Sequence, residues 1–129
     1  MTAAAWLPNY DRQIKEWTNR GCTAWATSKR ELENYLHPSA IRSEAAGYTG
    51  KGEDFEDVPA LFAEAVHSAA PATTPWATLP EEKRRDKISA AKRRLNTECV
   101  GRMTPELLKE VDRNDDIRTW LRAIEQALR

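Results

Sequence analysis

The chain has 129 residues, of which 20 are Lys or Arg and 20 are Asp or Glu, so its formal net charge is zero. This length suits one modest domain or a piece of a larger one, and the balanced charge excludes a strong global attraction to nucleic acid or membranes. Only two cysteines occur, Cys22 and Cys99, without the spacing of a zinc site or a disulfide scaffold.

The N-terminal segment and the apolar runs bear on location. Residues 1–13 lack the basic segment and apolar stretch of a signal peptide. The longest apolar runs are only a few residues, far short of a membrane span. Together with the reduced cysteines, these features predict a cytoplasmic protein with no membrane partner.

The first predicted element is a helix. Tyr10, Ile14 and Trp17 recur at helical spacing, and Gly21 stands where a left-handed residue would end that helix. Trp17 lies on the apolar side, as Trp120 does in the last helix, so both are expected in the core.

A strand and a second helix are predicted next. Residues 22–28, CTAWATS, combine β-branched and aromatic residues and read either as one short strand or as an extended loop. A helix is then expected from about Ser28 to Leu36, where His37-Pro38 would stop it. Because a lone strand cannot satisfy its backbone hydrogen bonds, a strand here would need others supplied by another chain or by the rest of a larger domain.

The second half of the chain is predicted to be helical after an acidic, Gly-rich loop at residues 47–57. One helix covers 58–69, and Thr78 to Glu81 has the spacing of a capping box that opens a long helix to about Arg102. Two further helices, over 105–111 and 117–128, follow.

The predicted fold class is therefore mainly α, with helices and one short strand. The apolar stripe of the long helix, formed by Ile88, Ala91, Leu95 and Cys99, is expected in the core. The chain divides into an N-terminal extension (1–8), a helix–strand–helix portion (9–46), the loop (47–57) and a helical C-terminal subdomain (58–129).

The stretch TSKRELENYLHP, residues 27–38, has two interpretations. Ser28 and Glu31 have the spacing of a capping box, which would make this an ordinary helix start. Alternatively, Glu31 and Glu33 follow a strand at the rim where α/β folds assemble sites, and could hold a divalent cation there.

Two motifs carry a resemblance to a known family. SKRELENYLHPSAI, residues 28–41, resembles an Arg-Glu-Xaa-Glu-Asn-Tyr-type motif in the C-terminal Toprim domain of OLD-family ATP-dependent endonucleases. AAKRRLNTECVGRMTPELLKEVDRNDDIRTWLRAI, residues 90–124, is similar to the helical tail of that domain, with its Lys-Xaa-Xaa-Leu-Asn element. The resemblance covers about Asn9 to Ile124 and implies a metal-dependent phosphodiesterase domain, usually attached to an ABC-type ATPase and used in defence against phage or foreign DNA.

The resemblance also implies roles for residues. Glu33 and Glu31 match its acidic positions and would hold Mg²⁺ or Mn²⁺, Glu33 being preferred because Glu31 has the capping role, with Ser28 as a minor ligand. Lys92, in the Lys-Xaa-Xaa-Leu-Asn element, is the candidate catalytic or phosphate-binding lysine, and Lys87 is the second choice.

The chain departs from the family pattern in one important respect. A Toprim site also needs a glutamate after the first strand and an Asp-Xaa-Asp at the end of a later strand, and no apolar strand here precedes such a pair. No phosphate-binding GxxxxGK[ST] occurs either. The expectation is a C-terminal fragment or subunit of a Toprim endonuclease, inactive alone, with a separate ATPase–Toprim chain supplying the missing half.

The basic segment KRRDKISAAKRR, residues 83–94, also has two interpretations. It is either a solvated helix face balanced by nearby acids, or a track for the phosphate backbone of DNA through Arg84, Lys87 and Arg94. The alternative function is thus a non-catalytic helical module that binds nucleic acid or protein. Under either function an exposed apolar face would favour a homodimer or a partner chain.

Overall fold

A computed structural model describes residues 3–24, 26–71 and 74–129, and of residues 3–10 it describes the backbone alone. The α-helices in these ranges are α1 (Ala3–Asn19), α2 (Pro38–Glu44), α3 (Val58–Ala69), α4 (Glu81–Arg94), α5 (Pro105–Val111) and α6 (Asp116–Ala127). The mainly α class is confirmed. None of the helices in the described ranges combines the length and the apolar character needed to cross a membrane.

The predicted strand is wrong for the part of residues 22–28 that the structure describes, which excludes Trp25. Residues 22–24 and 26–27 have no regular structure, and residue 28 begins a bend. A strand requires a neighbouring strand to pair its backbone groups, and the described part of the chain contains none. The described part of this segment therefore forms an extended loop, although its composition is typical of a strand.

The predicted helix from Ser28 to Leu36 is also wrong. Only one 3₁₀ turn forms, at Leu32–Tyr35, and Glu31 precedes it without a side-chain capping bond. The Ser28 backbone amide and hydroxyl both donate to Oδ2 of Asp116, at 3.0 and 2.7 Å. Because this distant carboxylate engages Ser28, the Ser28–Glu31 capping box does not form.

The first helix is confirmed and is longer than predicted, since α1 begins at Ala3 inside the expected N-terminal extension. It ends at Asn19, and Gly21 has the left-handed φ of 85° that its position predicted. Trp17, however, is 51% exposed and lies near the Arg20 guanidinium, so its predicted place in the core is wrong. The side chain of Tyr10 lies outside the described part of the chain.

The core forms where α3 packs against α4 and where α2 packs against the helical turns at 95–102 that follow α4. Phe62 and Leu95 are completely buried, and Ile41 is nearly so. The predicted stripe of α4 is confirmed, with Ala91, Leu95 and Cys99 buried and Ile88 packed against them. Burial raises the pKa of the Cys99 thiol to about 11, and the negative charge of Glu44 adds to the shift, so this thiol is inert at neutral pH.

The long helix begins later than predicted. Pro80 precedes α4 without a side-chain capping bond, and the Thr78 hydroxyl donates instead to the Pro75 carbonyl. Beyond Arg94 the chain stays helical to Arg102 through a π-turn at Leu95–Cys99 and a 3₁₀ turn, as the prediction required. The capping box at Thr78 is therefore wrong, whereas the predicted end near Arg102 is right.

The acidic loop at 47–57 is confirmed, and its carboxylates have structural partners. Asp54 accepts a 2.7 Å bond from the buried Lys29 ammonium, and Glu56 accepts bonds from the Lys51 and Gly52 amides. The Asn34 side chain donates to the Glu56 carbonyl at 3.0 Å. These contacts fasten the loop to the segment that carries Glu31 and Glu33.

Helix α6 is anchored at its first turn and open along its length. The Asp112 carboxylate accepts bonds from the backbone amides of Asp116 and Ile117, which satisfies two of the free donors at the start of the helix. None of its residues is buried, and Trp120 is 49% exposed, so its predicted place in the core is wrong. The apolar face of α6 is therefore partly covered at Ile117, near the 23–32 segment, and largely exposed from Leu121 onward.

Candidate active site

The two motifs of the sequence meet at Glu33. This residue lies in the 3₁₀ turn, is only 6% exposed, and accepts a 3.0 Å hydrogen bond from the Asn96 side-chain amide. The Lys92 ammonium lies 3.8 Å from the same oxygen, Oε1. Residues 63 positions apart in the chain are thus brought into direct contact.

Glu31 lies at the edge of the same cluster. Its Oε1 is 4.0 Å from the Lys92 ammonium, while its Oε2 is buried and has no hydrogen-bond partner. The Lys92 ammonium therefore lies within ion-pair distance of both carboxylates. A buried carboxylate oxygen without a partner is costly, which suits a site that accepts a further cation or donor.

The helical geometry of α4 explains how Lys92 and Asn96 reach Glu33 together. The Asn96 side-chain amide also donates to the Lys92 carbonyl at 2.8 Å, so the two residues stand one above the other across a turn. Asn96 belongs to the π-turn that follows α4. Such turns widen a helix and often occur at functional sites.

Ser28, the proposed minor ligand, does not join Glu31 and Glu33. Its hydroxyl and amide are bound to Asp116, and the Tyr35 hydroxyl donates to the same Asp116 oxygen. Although burial acts against the charged form, the hydrogen bonds from Ser28 and Tyr35 lower the pKa of Asp116. Burial, helped by the bond to Asp116, raises the pKa of Tyr35 to about 12. Ser28 therefore belongs to a structural contact between the 28–36 segment and α6.

Lys87, the second choice for a catalytic lysine, is also away from the carboxylates. It lines a cavity of about 180 Å³ between α3 and α4, beside Phe62 and Val66. In the described ranges no group of three or more His, Cys, Asp or Glu side chains is arranged to hold a metal ion. Glu31 and Glu33 could thus supply two carboxylates to a cation, and further ligands would have to come from elsewhere.

The three predicted phosphate contacts of the basic segment differ in their surroundings. Arg94 forms ion pairs with Glu44 and Glu98 at 3.7 and 3.1 Å, and its guanidinium lies over the Phe62 ring. Arg84 is half-buried and Lys87 is exposed, and neither has a carboxylate within 4.0 Å among the described residues. Arg94 is therefore a packing residue, and only the other two remain free for a phosphate.

Two residues of functional interest were not singled out from the sequence. Asn96 is the Asn of the Lys-Xaa-Xaa-Leu-Asn element but was given no role there, although its position four residues after Lys92 places both on one face of a helix. Asp116 had no comparable signal, because its partners Ser28 and Tyr35 are more than 80 positions away.

Comparison of the chain with protein-family models, with curated proteins and with solved structures gives no match. The resemblance to OLD-family Toprim domains therefore rests on the two motifs quoted above.

Proposed function

We propose that this chain is part of a metal-dependent DNA endonuclease of the OLD-type Toprim class, acting in the cytoplasm in defence against phage or foreign DNA. The observation that carries the proposal is the contact of Glu33 with Lys92 and Asn96. Glu33 comes from one resembling motif, and Lys92 and Asn96 come from the other. If both motifs belong to one Toprim-type site, their residues must come into contact in the folded chain.

The charges of the cluster suit this chemistry. When bound, Mg²⁺ or Mn²⁺ would stabilise charge on the phosphate and activate water. The Glu33 and Glu31 carboxylates would hold the ion, and Asn96 would orient Glu33 through its hydrogen bond. Lys92 would neutralise negative charge on the scissile phosphate.

The remaining ligands are proposed to come from a separate ATPase–Toprim chain. Two carboxylates at the cluster are too few for the oxygen shell that Mg²⁺ or Mn²⁺ prefers. An Asp-Xaa-Asp strand from a partner would raise the number of carboxylates to four. The chain alone is therefore expected to be inactive.

Nicking of supercoiled plasmid tests the proposal. With an OLD-type ATPase–Toprim chain from the same genome and Mn²⁺, the purified chain should nick DNA, and Glu33→Gln and Lys92→Ala should each lower the rate by at least about a hundredfold. Matched substitutions at exposed sites away from the cluster, Glu64→Gln and Lys109→Ala, should leave the rate unchanged. Equal activity in all four variants would contradict the proposal.

The exposed face of α6 favours the alternative function, a non-catalytic protein-binding module. This face consists of the half-buried Ile117 and the exposed Leu121, Ile124 and Leu128, which are separated by four, three and four positions, the same order in both directions. In an antiparallel dimer, each apolar residue of this face would therefore pack against an apolar residue of the second copy. Arg118 and Glu125, on one flank of the face, would then oppose each other across the two-fold axis.

Sedimentation velocity over a range of concentrations tests this alternative. We expect a reversible dimer that Leu121→Glu weakens at least tenfold, about 1.4 kcal/mol, because the substitution places a charge in the apolar contact. Val100→Glu, at a similarly exposed apolar residue outside α6, should leave the dimer intact. A monomer at every concentration would contradict the alternative.

A further inference from the structure

A groove on the side of α2 collects positive charge from three parts of the chain. Arg42 comes from α2, Lys51 from the 47–57 loop, and Arg113 from the connection between α5 and α6. The groove has a volume of about 430 Å³, within the range of ligand-binding clefts. These residues, with His37 on one wall, are called the basic groove.

The cations of the basic groove are poorly neutralised. Among the described residues, neither Arg42 nor Lys51 has a carboxylate within 4.0 Å. Arg113 lies 3.5 Å from an Asp54 oxygen that already accepts the shorter bond from Lys29. These three side chains therefore keep donors available for an added anion.

Among the described residues that line the basic groove, Glu110 is the one carboxylate, and it is already engaged. His37 Nδ1 accepts a bond from the Ser39 amide, so its Nε2 carries the proton and donates to Glu110 at 2.7 Å. Through this bond the Glu110 carboxylate is engaged by His37. The described side chains that line the groove thus carry three positive charges and one negative charge, while the Glu56 carboxylate next to it is held by the backbone amides of Lys51 and Gly52.

Two glycines fix the backbone of the loop that carries Lys51. Gly52 has φ 80°, which disfavours any residue with a side chain. A Cβ at Gly50 would collide with the buried Tyr48 ring. Separated cations on a fixed backbone suit the extended, regularly charged backbone of a nucleic acid.

We propose that the basic groove binds the phosphodiester backbone of DNA, and that it does so in place of the basic segment of α4. The choice of DNA rests on the proposed function. In α4, Arg85, Lys92 and Arg94 are paired with carboxylates, and the residues that stay free are interspersed with acids. In the basic groove, the cations converge on one concave surface.

Fluorescence anisotropy with a labelled duplex of about 20 base pairs tests the proposal. Binding is measured in EDTA between about 50 and 200 mM salt, so a failure of metal-dependent cleavage does not affect the result. The pair Arg42→Ala/Lys51→Ala should weaken binding at each salt concentration and lower the slope of log K against log salt by about two. The control pair Arg84→Ala/Lys87→Ala, which removes the same charge from α4, should leave the slope unchanged.

Two results would overturn the proposal: equal loss in both pairs, which would show that binding follows net charge, or no binding by the unaltered chain at low salt. Circular dichroism checks that both pairs are folded. Should the groove pair lose helix, Lys51→Gln alone serves the same test, because Lys51 is an exposed loop residue with an expected slope change of about one.

Discussion

Replacing Phe62 by Ala is expected to destabilise the protein by about 3–5 kcal/mol. Phe62 is completely buried between α3 and α4, where it packs in the main apolar cluster and beneath the Arg94 guanidinium. The loss is large against the roughly 5–15 kcal/mol that holds a small domain folded. Thermal unfolding should therefore begin more than about 10 °C lower, as measured by circular dichroism.

Phe55→Ala is the matched control, because it deletes the same side chain where it is 46% exposed. The change in the free energy of unfolding should stay below about 1 kcal/mol. Equal destabilisation by the two substitutions would contradict the packing of α3 against α4 described above.

Replacing Asp116 by Asn is expected to lower stability by about 1–2 kcal/mol at pH 7. The carboxylate accepts three hydrogen bonds from Ser28 and Tyr35, and a neutral amide oxygen accepts them more weakly. The value lies in the lower part of the range for charged acceptors because Asp116 is partly exposed to solvent.

The effect of Asp116→Asn should depend on pH in a defined direction. Since folding lowers the pKa of Asp116 below its ordinary 3.8, its charge stabilises the fold fully above that value. This contribution is lost as the pH falls through the folded pKa. Urea unfolding at pH 7 and at about pH 3 should therefore show a smaller difference between variant and unaltered chain at the lower pH.

Tyr35→Phe is the control for the pH dependence, because it removes one of the three donors and keeps the carboxylate. It should weaken the acid-dependent part of the stability without abolishing it. A difference between Asp116→Asn and the unaltered chain that is the same at both pH values would contradict the assigned role of the charge.

The elements that could be predicted are those whose signals are local. Gly21 ends α1, and α3 and α5 begin at Val58 and Pro105 as predicted. The apolar period of α4 identified its buried side correctly, because that face packs against α3. Each of these features depends on residues within a turn or two of one another.

The errors arise where a distant partner competes with a local signal. Ser28 has good capping spacing to Glu31, yet Asp116 engages both its amide and its hydroxyl. Trp17 and Trp120 lie on apolar helix faces, and periodicity alone could not show that no element of the described chain covers them.

The candidate site also contains residues that the sequence could select correctly and others that only the structure could place. Glu33 and Lys92 could be selected from the sequence because each lies in a motif, whereas Ser28 and Lys87 were selected on similar grounds and lie elsewhere. Asn96 lies in the Lys-Xaa-Xaa-Leu-Asn element, but its role became evident only from its contact with Glu33.

The sequence by itself determined the helical class, the ends of α3, α5 and α6 and the stripe that forms the core, because backbone preferences and apolar periodicity act over a few residues. The tertiary structure alone decided that residues 22–28 form no strand in the part described and that Glu33 meets Lys92. It also decided that Arg42, Lys51 and Arg113 share one groove. Such contacts depend on how the helices pack, since only packing places residues from separate parts of the chain within bonding distance.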